Sequence, residues 1–436
     1  MAYEGGKLPI ERASKIAHME LIRENSLVEM LQSFHSDEMP KASLSFQRSG
    51  SIDINAESLI KRVVTVDGGF GIVPHPIRRE KTLAFIQVGT CLLYMTDLLA
   101  MKANPMMDPR DVKKLLERIH YRPCALPLSG VRIPGQSIRD TIRRTINGVL
   151  SRAYTGLYPV LEFLVHRRWL PKDAKKPVPE MECFGCDAKF TVPERLTFSC
   201  PHCGHEHFFA DYLHIGKESP EEWSRQETAI ALMAVIETLA LFEVPVHLAK
   251  TSRLQQMSDT LFIKDGPLLL RAYLSRLVEP IRDFIEWVKD QRYTFHMVGI
   301  EKTGDFVRYL DEFARVLPEA GDYFVPSVRF MIEDVAGAIM NENTYRNRVS
   351  YGSKVAIRLS TEHVVPLSIP TGASYPLKPT AEDLIGFSEI ARTLSQLTSA
   401  QHDNALIPLV LANRAVSISQ SPSGNILHDF VLDKIK

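Results

Sequence analysis

Two Cys-X-X-Cys pairs stand close together in this chain, Cys183-Phe184-Gly185-Cys186 and Cys200-Pro201-His202-Cys203, with only residues 187–199 between them. Each pair presents two thiolates from one tight knuckle, and two knuckles close a tetrahedral zinc site. Four sulfurs leave no open coordination position, so the pattern predicts a structural four-cysteine zinc ribbon with Cys183, Cys186, Cys200 and Cys203 as ligands. A redox motif needs one such pair, and the second argues against it. His202 and His205 are near enough to compete as ligands, although four cysteines suffice. Cys91 in an apolar run and Cys124 in a Pro-flanked segment read as packed thiols. The start, MAYEGGKLPIERASKIAHME, has early acids and no apolar stretch, so it reads as no signal peptide, and the cysteine usage suits a reducing cytoplasm. No run of 18 apolar residues is evident, and no transmembrane helix or membrane partner is expected. The ribbon staples an insertion, or it touches nucleic acid or a partner protein.

The rest of the chain mixes helical and extended patterns. It has 436 residues, room for two or three domains, and equal counts of 52 basic and 52 acidic side chains. A protein that coats DNA non-specifically is usually strongly basic, so any nucleic-acid path here must be a local stripe. Helical spacing is read over 8–35, 108–120, 136–168, 220–243, 268–290, 304–316 and 380–398. Strands are read over 61–95 as a neighbouring pair, at TLFIKDG (260–266), at YTFHMVGI, over 350–370, and at ALIPLVLANRAVSIS. The 136–168 segment carries Arg139, Arg143, Arg144, Arg152, Arg167 and Arg168, read as a solvated helix face or as a DNA-facing stripe. PKDAKKPVPE at 171–180 reads as a linker leading into the cysteine cluster.

Three acids stand in unusual settings. Val63-Val64-Thr65-Val66 delivers Asp67 into Gly68-Gly69, and a second apolar run delivers Asp265 into Gly266. Asp-Gly is a common turn dipeptide, and either one alone reads as a turn. As a pair they also fit acids held at strand ends, where a following glycine gives a phosphate or metal room to approach. Glu237, in ALMAVIETLALFEVP, lies among apolar residues of a helix. A buried carboxylate needs a partner, and a cation shared with Asp67 and Asp265 would be one. Two-metal phosphodiester hydrolysis asks for this kind of set, because Mg²⁺ and Mn²⁺ prefer oxygen ligands.

VDGGFGI, ALMAVIETLALF and LFIKDGPLL, in that order, resemble the NurA family of nucleases. The mixed helix and strand pattern reads as an α/β fold, and the resemblance implies that its sheet is an RNase H-like mixed sheet flanked by helices; the inserted helical region with the four-cysteine zinc ribbon departs from the family. The resemblance divides the chain into an N-terminal helical segment (1–58), the first part of the nuclease core (59–100), a helical insertion (101–220) holding the ribbon at 181–207, and the remainder of the core (221–436). It implies catalytic metal ligands at Asp67, Glu237 and Asp265, and a catalytic lysine at Lys302 in GIEKTGDF. KVAIRLS and SYPLKPTAEDLIGF continue the pattern, with Lys354, Arg358 and Tyr375 as substrate-binding candidates. Where the family usually has Ala-His, this chain has Ala381-Glu382-Asp383; Asp383 is taken as the fourth ligand, with Glu382 the competitor. The resemblance implies a homodimeric nuclease that uses Mn²⁺ or Mg²⁺ to trim DNA ends and cut single strands. It also implies a HerA-type hexameric ATPase as partner, in DNA end processing or antiviral defence, with the 8–35 helix a candidate docking element. Two other readings stay open: a non-catalytic zinc-ribbon adaptor anchoring an ATPase or DNA, with its acids apart or salt-bridged, and a different metal-dependent phosphoesterase on the same sheet.

Overall fold

The structure, a computed structural model, describes residues 30, 47–75, 77–78, 80–103, 117–153, 156–215, 217, 225–270, 272–337, 348–398, 406–418 and 425–434. Residues 47–436 make one compact unit; residues 1–46 make another, of which Met30 alone is described. The expected helix over 8–35 therefore lies outside the described residues, Met30 excepted.

The unit is built on a nine-stranded mixed sheet. Near one edge of it β2 (Arg62–Pro74) is flanked on one side by β3 (Thr82–Tyr94) and then β4 (Ile119–Ser129). Both of these pairings are antiparallel. On the other side β9 (Thr260–Asp265) and then β10 (Met297–Ile300) run parallel to β2. These five strands take the order third, second, first, fourth, fifth, with the second reversed, which is the RNase H-like arrangement. Beyond β10 the sheet continues antiparallel through β13 (Val364–Ile369), β12 (Ser353–Arg358), β11 (Asp322–Phe324) and the two-residue β1 (Gly50–Ser51). The ribbon supplies the remaining strands as two hairpins, β5 (Glu180–Glu182) with β6 (Lys189–Thr191) and β7 (Thr197–Ser199) with β8 (Glu206–Phe208).

The central strands carry apolar residues on both faces, so both must be covered. Val64 and Val66 of β2 and Phe262 of β9 join one core cluster, with α2 (Ile138–Ser151), α3 (Leu157–Val165), α4 (Arg225–Lys250) and α5 (Val278–Asp290). Val63, Leu261 and Ile263 face the other way, toward α1 (Met95–Ala103), α7 (Phe387–Gln396) and α8 (Ile407–Val416). Two further helices are α6 (Leu310–Val316) and α9 (Asn425–Lys434). The α4 segment is long and apolar enough to cross a membrane, with an 18-residue window of mean hydropathy 2.0 within Gln226–Lys250, but 72% of that window is buried inside the fold. A helix with apolar residues on every side is what a position between a sheet and other helices requires.

Three expectations are corrected. ALIPLVLANRAVSIS is not a strand; Pro408 stands in the first turn of α8, where its missing N–H costs nothing. The helix read over 108–120 fails at its end, because β4 begins at Ile119; residues 104–116 lie outside the described ones. The helix read from 380 begins at Phe387, after Gly386 in a left-handed conformation.

Candidate metal centres

The ribbon forms as the spacing predicts. Cys183 Sγ lies 3.6 Å from Cys203 Sγ, Cys186 Sγ 3.8 Å from Cys200 Sγ, and all four sulfurs fall within 4.8 Å of one another. Zinc bound tetrahedrally at about 2.3 Å per sulfur needs sulfurs about 3.8 Å apart, so the four fit that ion. The Gly185 and His202 N–H groups donate to Cys183 and Cys200. His205 turns away toward Arg143, 3.2 Å distant. His207 Nε2 lies 3.3 Å from Cys183 Sγ and its Nδ1 3.2 Å from Asp211. Asp211 in turn accepts two hydrogen bonds from Arg143, at 2.6 and 3.1 Å. Second-sphere bonding of this kind orients metal ligands.

That network answers the question of the arginines. Arg143 is buried under the ribbon, with its guanidinium also over Phe184, and Arg144 pairs with Glu206. Arg167 holds Asp283 and Glu279, and Arg168 holds Glu162 and Glu194. Arg143 and Arg167 are buried ties, while Arg144 and Arg168 make exposed ion pairs.

Asp67 and Asp265 come to neighbouring strands, while among the described residues only the four cysteines bring three or more possible metal ligands within 4.8 Å of one another. Val66 is paired with Lys264 across β2 and β9, so the next step of the register sets Asp67 beside Asp265 on strands about 4.8 Å apart. The two Asp-Gly steps differ in shape. Asp67-Gly68-Gly69 is no turn, since β2 continues to Pro74 against β3. Asp265-Gly266 is one: Gly266 has φ 93° and its N–H reaches the Ile300 carbonyl at 2.7 Å. Because β9 leaves the sheet there while β2 runs on, the acids stand where the strands part. Glu237 comes from α4, one turn beyond Met233, and both lie against Gly68. A Cβ on Gly68 would come within 2.6 Å of Glu237 Oε1.

Asp67 is 4% exposed, accepts from the Gly68 N–H at 2.8 Å, and its buried Oδ2 has no hydrogen-bond partner among the described residues. Burial pushes its carboxyl up to about 7, with further lifts from the charges of Asp265 and Glu237; the Gly68 bond and Lys302 act against them. Burial also raises Glu237. Lys302 Nζ holds Asp265 Oδ2 at 2.6 Å. Sequence reading misses Lys264, whose buried ammonium lies 3.1 Å from Glu237 Oε2. Its one signal is its place directly before Asp265 in an apolar strand.

The other candidates lie elsewhere. Asp383 accepts from the Thr380 N–H and hydroxyl at 2.8 and 3.0 Å, closing its own turn. The charge of Glu382 is felt by Tyr323, on β11, four strands from β9 and so about 19 Å across the sheet. The structure brings neither acid to the cluster. Arg358, read as a substrate contact, is buried and donates to the Leu317, Ala314 and Thr361 carbonyls, closing the C-terminal end of α6. Lys354 pairs with the buried Glu301. Tyr375 carries the Arg282 guanidinium over its ring at 4.9 Å.

The strand order, with acids placed on its first and fourth strands and on a covering helix, defines an RNase H-like α/β protein with an inserted four-cysteine ribbon. No protein-family model matches the chain, and no curated protein matches it. Among solved structures it is similar to the NurA nuclease from Sulfolobus solfataricus at 11% identity, covering 97% of both chains, with a TM-score of 0.34. A second NurA structure is similar at 10% identity over 98% of this chain and 99% of that one, with a TM-score of 0.28. A third, NurA bound to dAMP and manganese, is similar at 11% identity over 98% and 97%, also at 0.28.

Proposed function

We propose that this protein is a divalent-metal-dependent phosphodiester hydrolase acting on DNA. The observation that carries this is the placement of Asp67 and Asp265 side by side in register where β9 leaves β2, with Glu237 against Gly68 and Asp67 Oδ2 buried and unpartnered among the described residues. An all-carboxylate donor set suits Mg²⁺ or Mn²⁺ better than softer ions. Bound ions of this kind neutralise phosphate charge and lower the pKa of water. Asp67, Glu237 and Asp265 would hold the ions, and Asp67 feels the charge of both other acids. Lys302 is partly exposed beside Asp265 and meets the scissile phosphate or its neighbour. Lys354, Tyr375 and Asp383 are given no part in this chemistry. Attack on DNA ends and single strands, a homodimer, a HerA-type ATPase partner, a role in end processing or defence, and a reducing cytoplasmic setting complete the proposal; they rest on the sequence reading.

One observation favours a second reading. Glu237 is paired with Lys264 and Asp265 with Lys302, as a non-catalytic zinc-ribbon adaptor would have its acids neutralised. A nuclease assay on single-stranded and blunt-ended DNA separates the two. The hydrolase cuts with Mn²⁺ or Mg²⁺, and Asp67→Asn lowers the rate at least about 100-fold, the scale of losing several kcal/mol of metal-borne stabilisation. Activity that survives Asp67→Asn removes this mechanism. No activity with either metal, even with a HerA-type ATPase added, leaves the adaptor.

A further inference from the structure

Lys264 has no part in the mechanism above, yet it is a cation held inside the fold beside the acids. Its side chain is 8% exposed, and burying an ammonium is costly unless it is paired and hydrogen-bonded. Along β9 it shares its face with Phe262 and points toward α4, whereas Ile263 belongs to the opposite core. From there Nζ makes two contacts, 3.1 Å to Glu237 Oε2 and 3.1 Å to the main-chain carbonyl of Asp265. One ammonium thus ties the helix that carries the second acid to the turn that aims the third. On the far side of the same carboxylate, Gly68 leaves room for Glu237 Oε1. The two oxygens of Glu237 are therefore sorted: Oε2 faces the lysine and Oε1 faces the strand that carries Asp67.

We infer that Lys264 is a positioning residue: it occupies one oxygen of Glu237 and anchors the Asp265 turn, so that with Gly68 as the opposite wall Glu237 serves the metal site through its other oxygen. This rests on the metal-site reading of the preceding section. Lys264 acts through the two acids and touches neither substrate nor ion.

The test is calorimetric titration of the full-length, zinc-loaded protein with Mn²⁺, checked by the electron paramagnetic resonance of free Mn²⁺. Wild type is compared with Lys264→Met, Gly68→Ala, their double variant and Asp67→Asn. Loss of an outer-sphere partner costs about 10–100-fold in metal affinity, and Lys264→Met and Gly68→Ala are each expected to weaken Mn²⁺ binding by at least about 10-fold in that range. Zinc content stays unchanged, and the double variant is less than additive because both substitutions release the same carboxylate. Activity follows as a raised Mn²⁺ requirement more than a lowered maximal rate. Wild-type Mn²⁺ affinity in Lys264→Met, with only a lower melting temperature, overturns the inference and makes Lys264 a simple counter-charge. If Lys264→Met does not fold, Gly68→Ala decides, and unchanged affinity there overturns it equally. Wild-type protein showing no Mn²⁺ binding sensitive to Asp67→Asn overturns the metal site itself, and this inference with it; sensitive binding with both other variants unaffected overturns this inference alone.

Discussion

The Asp67 carboxyl lies mid-strand, with Asp265 and Glu237 adding like charge to the effect of burial, and its value of about 7 sits well above the ordinary carboxylate range. The consequence for stability has a definite sign. A group whose folded-state value is raised contributes stability that is fully present below its unfolded value, about 4, and is lost as pH rises through the folded one. Without added divalent metal, the protein therefore melts at a lower temperature at pH 8 than at pH 5, and Asp67→Asn flattens part of that slope. Thermal melts followed by circular dichroism at several pH values measure it; an unchanged slope in Asp67→Asn would remove Asp67 as the cause. Mn²⁺ restores the wild-type melting temperature at pH 8, because an ion that binds the charged native site shifts the balance toward it. At this scale much is legible in the sequence. An acid after a β-branched run and a glutamate inside an apolar helix are each anomalous against their surroundings, and both lie in the cluster. Lys264 escapes notice because its neighbours make it look like the polar position of an ordinary strand. Arg358 and Asp383 mislead for the opposite reason: charge in a suggestive order looks like chemistry, whereas one closes a helix and the other a turn.

Among the elements, α8 is the one whose nature the sequence conceals and whose placement matters most near the acids. Its last turn crosses the sheet directly over Gly69 and Gly89, and a Cβ at Gly69 would intrude on the Val416 carbonyl while one at Gly89 would lie 2.7 Å from Val416 Cγ1. Two glycines two positions apart along the β2–β3 pair, Gly89 opposite Asp67 and Gly69 opposite Gln87, thus let a helix end settle on the face that Asp67 shares. Gly69→Ala is expected to cost about 1–3 kcal/mol through overpacking, measured by denaturant unfolding; a neutral result would mean that α8 shifts freely. The apolar run reads as extended because period-2 and period-3.6 patterns cannot be told apart when nearly every position is apolar. The ribbon shows a different dependence. Arg143→Met strips Asp211 of its buried counter-charge, at a cost of about 3–5 kcal/mol. Hydrogen exchange of 180–213 against 260–265 checks that the loss is felt in the insertion before the sheet. The zinc cysteines themselves are plain from spacing alone, because four soft ligands at that separation have few other uses.

Over the whole molecule, zero net charge and the internal pairing of Arg143, Arg144, Arg167 and Arg168 leave these arginines committed to holding the insertion together. Removing zinc with a strong chelator is then expected to loosen the ribbon and α2 together, read as new protease cleavage within 180–213, while a core reloaded with Mn²⁺ keeps its sheet; cleavage starting in β2 or β9 would contradict this. The α/β class and the inserted ribbon can be read in advance, since each follows from local pattern. The nine-strand order cannot, because pairing across such separations is decided by packing rather than by any window of sequence. The parallel neighbours β2 and β9 show this best: between Pro74 and Thr260 the described residues form two more strands, the ribbon and four α-helices before the chain returns. Closing so long a loop is slow and comes late. During synthesis, at about 5–20 residues per second, a chain that has emerged as far as α4 already carries Asp67 and Glu237 but has no third acid for them to meet. On the proposed hydrolase reading, the nascent chain has no complete set of acids until Asp265 on β9 has emerged and paired with β2.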